Sequence, residues 1–333
     1  MTDEVLRVAA ASGLPGQDVA SIATFDPRTE LMMARQQRVV GVMARAVRAG
    51  EIECHDPGVL FDAHRHTMVA ALALEDRLLD AVDVLDRAGV ETRVVKGAAL
   101  AHLLGPTEDR DFGDTDLLVR PGELRAAVAA LEAAGAERKF APLSAMWEDR
   151  FAKSVTLRWH GTELDLHRTL APGPFGLIID GDELFTRSAS FVLADTSLST
   201  LSVAHHLLHA AIHIALGDIE PRLGNVRDLA LLLGRDDVDH DEVVGTALRW
   251  GVQAPVAEAI QHAVVLGCVT NALTDWSAKF RPTRHERALM ATYRDRDGRF
   301  RRQAVASLRV LRWRDRVAYI RAVRPGAAGT LPR

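Results

Sequence analysis

The sequence predicts an α+β protein in which one mixed β-sheet is flanked by helical regions on both sides. Apolar residues recur three and four positions apart across 1–90 and again from residue 196 onward, which is the period of an amphipathic helix. Between these regions, short β-branched runs alternate with short helical runs, an order typical of a small sheet covered by helices. We therefore divide the chain into an N-terminal helical region, a sheet-bearing core and a C-terminal helical domain, over 1–90, 91–195 and 196–333.

Length and composition restrict the class of protein. The chain has 333 residues, 48% of them hydrophobic, and a formal net charge of −4, values typical of a globular protein with a sizeable core. No apolar run approaches the roughly 18 residues that cross a bilayer, and Asp3 and Glu4 stand where a secretory signal would be basic. Cys54 and Cys268 form neither a disulfide framework nor a metal motif. We therefore expect a cytoplasmic protein without a transmembrane segment.

The N-terminal region contains two strong helical patterns. The run ELMMARQQRVVGVMARAVRAG predicts one helix that ends at Gly50, and HRHTMVAALALEDRLLDAVDVLDRAG predicts a second that ends at Gly89. Glycine just beyond a periodic run is typical of a helix end, because glycine takes the left-handed conformation without strain.

The core reads as strand, helix, strand, helix and then a two-stranded hairpin. Proline near the start and glycine past the end mark the second helix, PGELRAAVAALEAAG, and His160-Gly161 forms the predicted hairpin turn in KSVTLRWHGTELDLHRTL. The predicted strands, helices and intervening loop lie, in order, at 90–97, 98–105, 106–114, 115–120, 121–135 and 153–170.

The C-terminal domain is predicted to be helical from TSLSTLSVAHHLLHAAIHIAL onward, with further helices at 222–234, 239–251 and 254–267. Its last part, 294–333, holds twelve arginines against three aspartates. We favour an amphipathic helix that packs on the body with a solvated basic face. Nucleic-acid binding through phosphates and contact with a membrane surface are the alternatives.

Two aspartates mark the second strand of the core. In DTDLLV, Asp114 and Asp116 lie two positions apart, so on a strand both side chains point to one face. In TELDLHR, Asp165 shares one face with Glu163 and His167. Three carboxylates that close repel one another unless a cation lies between them, and oxygen ligands beside phosphates suit Mg²⁺ in a two-metal arrangement. Solvated acids at strand ends are the alternative.

The turn before the first helix of the core combines Lys96 with Gly97. Glycine lets the backbone approach a ligand closely, and a helix N-terminus presents free N–H groups to an anion. We therefore expect a phosphate at this turn, with Lys96 and Arg110 supplying positive charge. The alternative is an ordinary strand-to-helix turn with a solvated lysine.

Three blocks in this order resemble the uncharacterised nucleotidyltransferase family of the polymerase-β-like superfamily, over roughly 60–270. They are VVKGAALAHLLG with RDFGDTDLLVR, then ELDLHRTL, then LSVAHHLLHAAIHIAL with RLGNVRDLALLL. The superfamily has a glycine-containing turn, a D-x-[DE] motif on the next strand and a third acid on a later strand. Gly97, Asp114 with Asp116, and Asp165 stand at those positions.

The resemblance implies a minimal nucleotidyltransferase fold and the transfer of a nucleoside monophosphate from an NTP, with ATP as our first choice. The acceptor would bear a hydroxyl group, as a small molecule, a peptide, a protein or an RNA end, and pyrophosphate would be released. Mg²⁺ or Mn²⁺ would be the cofactor. The residues that the resemblance implies are the three catalytic, metal-binding acids, Asp114, Asp116 and Asp165, and Gly97 at the nucleotide. Because of their positive charge, Lys96 and Arg110 join Gly97 as nucleotide-binding residues.

The superfamily commonly has a second glycine or a serine where Ala98 follows Gly97. A serine hydroxyl that would hold a phosphate is therefore absent, and we expect Lys96 and Arg110 to compensate. A catalytically weak nucleotide-binding or regulatory partner protein on the same scaffold is the alternative to an enzyme.

Several histidines fall in the helical half. His205, His209 and His213 lie four apart on one helical face, a spacing that zinc ligands also show, but no acid or cysteine accompanies them, so we favour core or cleft positions. The resemblance implies that His209 and Asp228, together with His167, line the acceptor side of the cleft.

Overall fold

The N-terminal region consists of four helices and a two-stranded parallel sheet. A computed structural model describes residues 2–14, 23–217, 220–267, 269–294 and 298–323 of the chain. The elements of the N-terminal region are α1 (Thr2–Ala11), β1 (Thr24–Phe25), α2 (Pro27–Gln36), α3 (Val40–Arg48), β2 (Glu53–Cys54) and α4 (Pro57–Arg87).

The single helix predicted to end at Gly50 is wrong, because the chain breaks between α2 and α3. Arg38 takes a left-handed conformation there, with φ of 57°. The carboxylate of Asp111, 71 residues away, accepts a hydrogen bond from the Val40 N–H at 2.8 Å and so caps the start of α3. The apolar period of the sequence continues through the break and gives no sign of it. The break is stabilised by a residue distant in sequence, Asp111. Gly50 and Gly89 have positive φ at the ends of α3 and α4, as predicted.

The predicted α+β class with a mixed sheet is confirmed. The sheet has seven strands in the order β5-β6-β7-β4-β3-β9-β8, and β4–β7 and β3–β9 are its parallel pairs. The elements of this core are β3 (Thr92–Val94), α5 (Gly97–Leu104), β4 (Thr115–Val119), α6 (Leu124–Ala133), β5 (Glu137–Arg138), α7 (Ala145–Arg150), β6 (Ser154–Trp159), β7 (Thr162–His167), β8 (Ser188–Leu193) and β9 (Thr196–Leu201), with 3₁₀ turns at Thr107–Asp109, Phe175–Leu177 and Glu183–Phe185.

The start of the C-terminal domain was predicted as helix, and this is wrong for Thr196–Leu201, which forms β9. Its buried residues alternate in part, and β9 pairs in parallel with β3 through Val94 and Thr200. The Thr200 hydroxyl donates to the Val94 carbonyl at 2.6 Å. The sheet therefore extends to Leu201, six residues past the predicted core limit at 195, and the division into domains stays a prediction.

Eight helices follow the sheet in the described part of the chain. The apolar side of α8 packs against α9, α10 and α11, and these helices form one continuous core with α1 and α3. Their bounds are α8 (Val203–Leu216), α9 (Leu223–Leu233), α10 (His240–Arg249), α11 (Gln253–Gly267), α12 (Ala272–Lys279), α13 (Arg284–Arg294), α14 (Arg299–Val310) and α15 (Trp313–Val323).

The arginine-rich stretch packs on the body over its described residues. Tyr319 on α15 makes an edge contact with Phe151, with ring centroids 4.9 Å apart, and Arg150 pairs with Asp315 at 2.7 Å. Trp313 stays 71% exposed. Residues 324–333 lie outside the described part, so the tail's partners stay a prediction. No described helix is long and apolar enough to cross a membrane.

Candidate functional site

A cluster of polar side chains lies where β4 and β7 run side by side. Their parallel register pairs Asp116 with Asp165. Leu117 and Leu166 pack into the core on one face of the sheet, so strand alternation places Asp116, Asp165 and His167 on the other. One ligand atom of each lies within 4.8 Å of the other two. Within the described residues, no other three such side chains are grouped closely enough to hold one ion.

Asp116 is the buried centre of the cluster. Its Oδ1 accepts a hydrogen bond from Lys96 Nζ at 2.6 Å and one from His167 Nε2 at 2.5 Å. The Asp116 side chain is 2% exposed and that of Lys96 17% exposed. Burial raises the pKa of Asp116, but the charge of Lys96 and the hydrogen bond from His167 lower it, and the net pKa lies well below its usual range. Asp116 is therefore ionised.

His167 is neutral and serves as a hydrogen-bond donor to Asp116. Burial, with the charges of Lys96 and Lys153, lowers the pKa of His167 to about 4, although Asp116 acts in the opposite direction. A carboxylate only accepts hydrogen bonds, so the proton of the neutral ring is on Nε2. The other nitrogen, Nδ1, is buried without a partner in the described part of the chain.

Asp165 belongs to this cluster with Asp116 and His167, whereas Asp114 lies nearby but outside it. Asp114 precedes the first residue of β4 and is not in the strand itself, yet its pKa is raised by burial and by the charges of Asp116 and Asp165. Asp165 Oδ1 is buried and has no hydrogen-bond partner among the described residues. Mutually repelling carboxylates with an unpartnered buried oxygen fit a hard divalent cation such as Mg²⁺ or Mn²⁺.

The Lys-Gly turn differs from the sequence-based interpretation. Lys96, directly before α5, carries the unusual backbone conformation, with φ of 55° and ψ of −134°. Gly97 has no positive φ, and an added Cβ would meet the Asp114 carbonyl and the Phe112 ring at an ordinary 3.5 Å. The turn therefore does not need glycine for conformational freedom. The Lys96 ammonium contacts Asp116 instead of standing open at a strand end.

Arg110 is also engaged by groups of the protein. Its guanidinium donates from Nε to Asp228 Oδ2 at 2.9 Å and from Nη1 to the Gly97 carbonyl at 2.8 Å. Two residues to which the sequence assigned separate roles, Arg110 and Asp228, thus form one ion pair that connects the sheet-bearing core to α9.

A cleft lies beside the Lys96 turn, and helix α8 forms one of its walls. His209 lines the cleft together with Lys96, Arg110 and Asp228, and the acceptor-side role of His209 and Asp228 stays a prediction. Burial lowers the pKa of His209 well below its usual range, so this wall is neutral.

The alternative of a zinc site on α8 is not supported over the described residues. No group close enough for one ion includes His205, His209 or His213. His205 stacks on Trp250 instead, with ring centroids 5.4 Å apart.

Two basic residues near the acids were not predicted. Arg38 lines the same cleft, although nothing in its helical run distinguishes it. Lys153 directly precedes β6, and burial, with the charge of Lys96, lowers its pKa to about 8 while Asp116 and Asp165 act in the opposite direction. Lysine is rare in this chain, with four in total, and that rarity was the available signal for Lys153.

The mixed sheet with helical regions on both sides is consistent with the α+β fold of nucleotidyltransferases. The chain belongs to the family described as uncharacterised nucleotidyltransferase, which matches residues 23–266. The match covers the sheet, the acids and α8 to α11, and it supports transferase activity in general, with a nucleoside triphosphate as the implied substrate. No curated protein matches the chain.

Proposed function

We propose that the protein transfers a nucleoside monophosphate from an NTP, with ATP as the first candidate, to a hydroxyl-bearing acceptor. The acceptor oxygen attacks the α-phosphorus, the bond to the bridging oxygen of the β-phosphate breaks, pyrophosphate leaves and the hydroxyl proton passes to a base or to water. The observation that carries this proposal is the register of β4 and β7, which sets Asp116 against Asp165.

Asp116 and Asp165, which lie close enough together for one ion, are the residues that would hold Mg²⁺ or Mn²⁺, and Asp114, outside that group, would be the third acid. When bound, the ion supplies charge neutralisation for the phosphates and makes the acceptor hydroxyl a better nucleophile. The chain's own contribution is to keep Asp116 ionised although it is buried, because Lys96 and His167 donate hydrogen bonds to it and hold it in place.

A catalytically weak nucleotide-binding or regulatory partner is the second candidate. One observation favours it: Asp116 Oδ1 already accepts from both Lys96 and His167. This acid is therefore stabilised by the protein alone. Such a protein would bind nucleotide without turnover.

The two candidates are separated by comparing binding with incorporation. We expect ATP with Mg²⁺ or Mn²⁺ to raise the melting temperature of the wild type, and α-labelled ATP to label an acceptor in a cell extract. Asp165→Asn should abolish labelling. A rise in melting temperature without labelling by any of the four NTPs supports the binding protein, and the absence of both effects contradicts both candidates.

The labelled product also identifies the class of acceptor. Sensitivity of the label to protease, to ribonuclease or to neither distinguishes a protein, an RNA end and a small molecule.

A further inference from the structure

The charged side chains around the acids divide into those with a partner in the protein and those without. Lys96 is paired with Asp116, and Arg110 with Asp228. The sequence analysis predicted that these two cations bind the phosphates. In the part of the chain that the structure describes, Arg38 makes no side-chain hydrogen bond or ion pair, and neither does Lys153.

Arg38 is held at the cleft by a close packing of backbones. The Gly224 N–H donates to the Gln37 carbonyl at 2.9 Å, and a Cβ on Gly224 would stand 2.4 Å from the Arg38 carbonyl oxygen. The turn between α2 and α3 is thus seated on the start of α9. The half-buried side chain of Arg38 lines the cleft beside Lys96 and His213, and its charge contributes to lowering the pKa of Asp114, against the larger effect of burial.

Lys153 reaches the same acids from the hairpin. Its carbonyl accepts a hydrogen bond from the Arg168 N–H at 2.9 Å, which sets it beside the end of β7, just past His167. The charges of Asp116, Asp165 and Asp114 all act on its ammonium group. Lys153 therefore lies near the three acids while contacting none of them in an ion pair.

Half-buried cations without partners are unfavourable unless a ligand supplies the opposite charge. The same site contains unpartnered carboxylates, Asp114 and Asp165, at no ion-pair distance from these cations. A ligand that carries both signs of charge satisfies both sets, and a nucleoside triphosphate with its divalent cation is such a ligand.

We propose that Arg38 and Lys153 bind the triphosphate of the nucleotide, whereas Lys96 and Arg110 hold groups of the protein itself. This inference rests on the proposed function and names the residues that would bind its substrate. Arginine offers phosphate a planar, bidentate donor and lysine a point charge, so the two have distinct expected effects.

Calorimetric titration tests the inference without turnover. The probes are α,β-methylene-ATP with Mg²⁺ and inorganic tripolyphosphate without metal. Arg38→Gln and Lys153→Met each remove one charge at similar side-chain length, and we expect each to weaken both probes about ten- to a hundredfold. The matched controls, Arg35→Gln on the exposed side of α2 and Lys279→Met on α12, should leave both affinities unchanged.

The outcomes separate this inference from the proposed function. If the wild type binds the probes and both variants bind them as tightly, the assignment of Arg38 and Lys153 is overturned while the nucleotidyltransferase proposal stands. If the wild type binds neither probe, the proposed function fails and this inference with it. Arg38→Lys, which keeps the charge but loses the bidentate geometry, should fall between wild type and Arg38→Gln, and circular dichroism verifies that each variant is folded.

Discussion

Two turns of the molecule, one at Lys96 and one at Arg38, share an unusual backbone and differ in what their side chains do. Both residues have positive φ, 55° and 57°, and each comes shortly before a helix, α5 or α3. Both line the same cleft. Lys96 is paired with the buried Asp116, whereas Arg38 has no such partner among the described residues.

The difference teaches which of the two turns also gives its charged side chain a partner within the protein. A non-glycine residue at positive φ costs of order 1–3 kcal/mol. At Lys96, the ion pair with Asp116 accounts for the conformation. At Arg38, the contacts of the turn with α9 hold the backbone. The Arg38 side chain has no hydrogen-bond or ion-pair partner among the described residues. The second turn is therefore the one that points to a ligand.

Asp116→Asn should have the largest effect on transfer. It removes the carboxylate that pairs with Lys96 and has no counterpart at Arg38. We expect transfer to fall at least about a thousandfold, since several kcal/mol of charge stabilisation would be lost, while the fold persists. Incorporation of labelled nucleotide measures it. Glu163→Gln, at an exposed acid of β7 paired with Lys139, is the control, and near wild-type turnover of Asp116→Asn would show that Asp116 is not catalytic.

Replacing each turn's cation by alanine compares the two directly. Lys96→Ala leaves a buried carboxylate without its cation and should lower the free energy of unfolding by about 3 kcal/mol. Arg38→Ala breaks no ion pair and should cost less than about 1 kcal/mol. Urea denaturation measures both. Equal losses of unfolding free energy in the two variants would contradict the comparison. A small loss for Lys96→Ala would mean that the Lys96 side chain is solvated and gains little from Asp116.

The buried histidines of α8, which line the cleft beside both turns, should make the free energy of unfolding decrease at acidic pH. Burial, with the charges of His205 and Arg110, lowers the pKa of His206 to about 3, below the ordinary value near 6.5. The unfolded chain therefore binds a proton that the folded chain does not, so the free energy of unfolding is highest above pH 6.5 and decreases below it. Each such histidine contributes up to about 2 kcal/mol between pH 6.5 and 5.

Urea denaturation at a series of pH values checks this slope. His206→Gln should flatten the decrease by one histidine's share. A free energy of unfolding that stays constant from pH 6.5 to 5 would mean that these histidines are protonated in the folded protein.

The glycines beside the two turns should respond differently to alanine. Gly224→Ala places a Cβ 2.4 Å from the Arg38 carbonyl, and we expect overpacking to cost about 1–3 kcal/mol. Gly97→Ala meets its neighbours at 3.5 Å without positive φ, so it should be nearly neutral. Melting temperatures of the two variants decide it. A larger loss at Gly97 would show that the Lys96 turn depends on glycine after all.

Glycine at the strained positions themselves should have the smallest effect. Lys96→Gly should be more stable than Lys96→Ala by about 1 kcal/mol, because glycine tolerates positive φ. Arg38→Gly and Arg38→Ala should differ by a similar amount. Denaturant midpoints measure both differences, and a difference at only one turn would mean that the two backbones are not equivalent.

Local pattern determined much of this protein. The helical period of the flanks, the β-branched strands and the His160-Gly161 turn predicted the α+β class. The resemblance to the uncharacterised nucleotidyltransferase family is confirmed by the family match, and the roles of Asp114, Asp116 and Asp165 stay a prediction. The alternation within β4 and β7 also placed Asp116 and Asp165 each on one face of its strand. These features depend on residues two to four positions apart, which the sequence contains directly.

Tertiary structure decided the rest. The register that sets Asp116 against Asp165, the pairing of Lys96 with Asp116, and the arrival of Arg38 and Lys153 at the same acids each join residues that are 12 to 76 positions apart. The break before α3 and the strand β9 likewise depend on distant partners, Asp111 and β3. Local periodicity carries no information about such contacts, because the free energy that selects them is gained only when the sheet and the helices pack together.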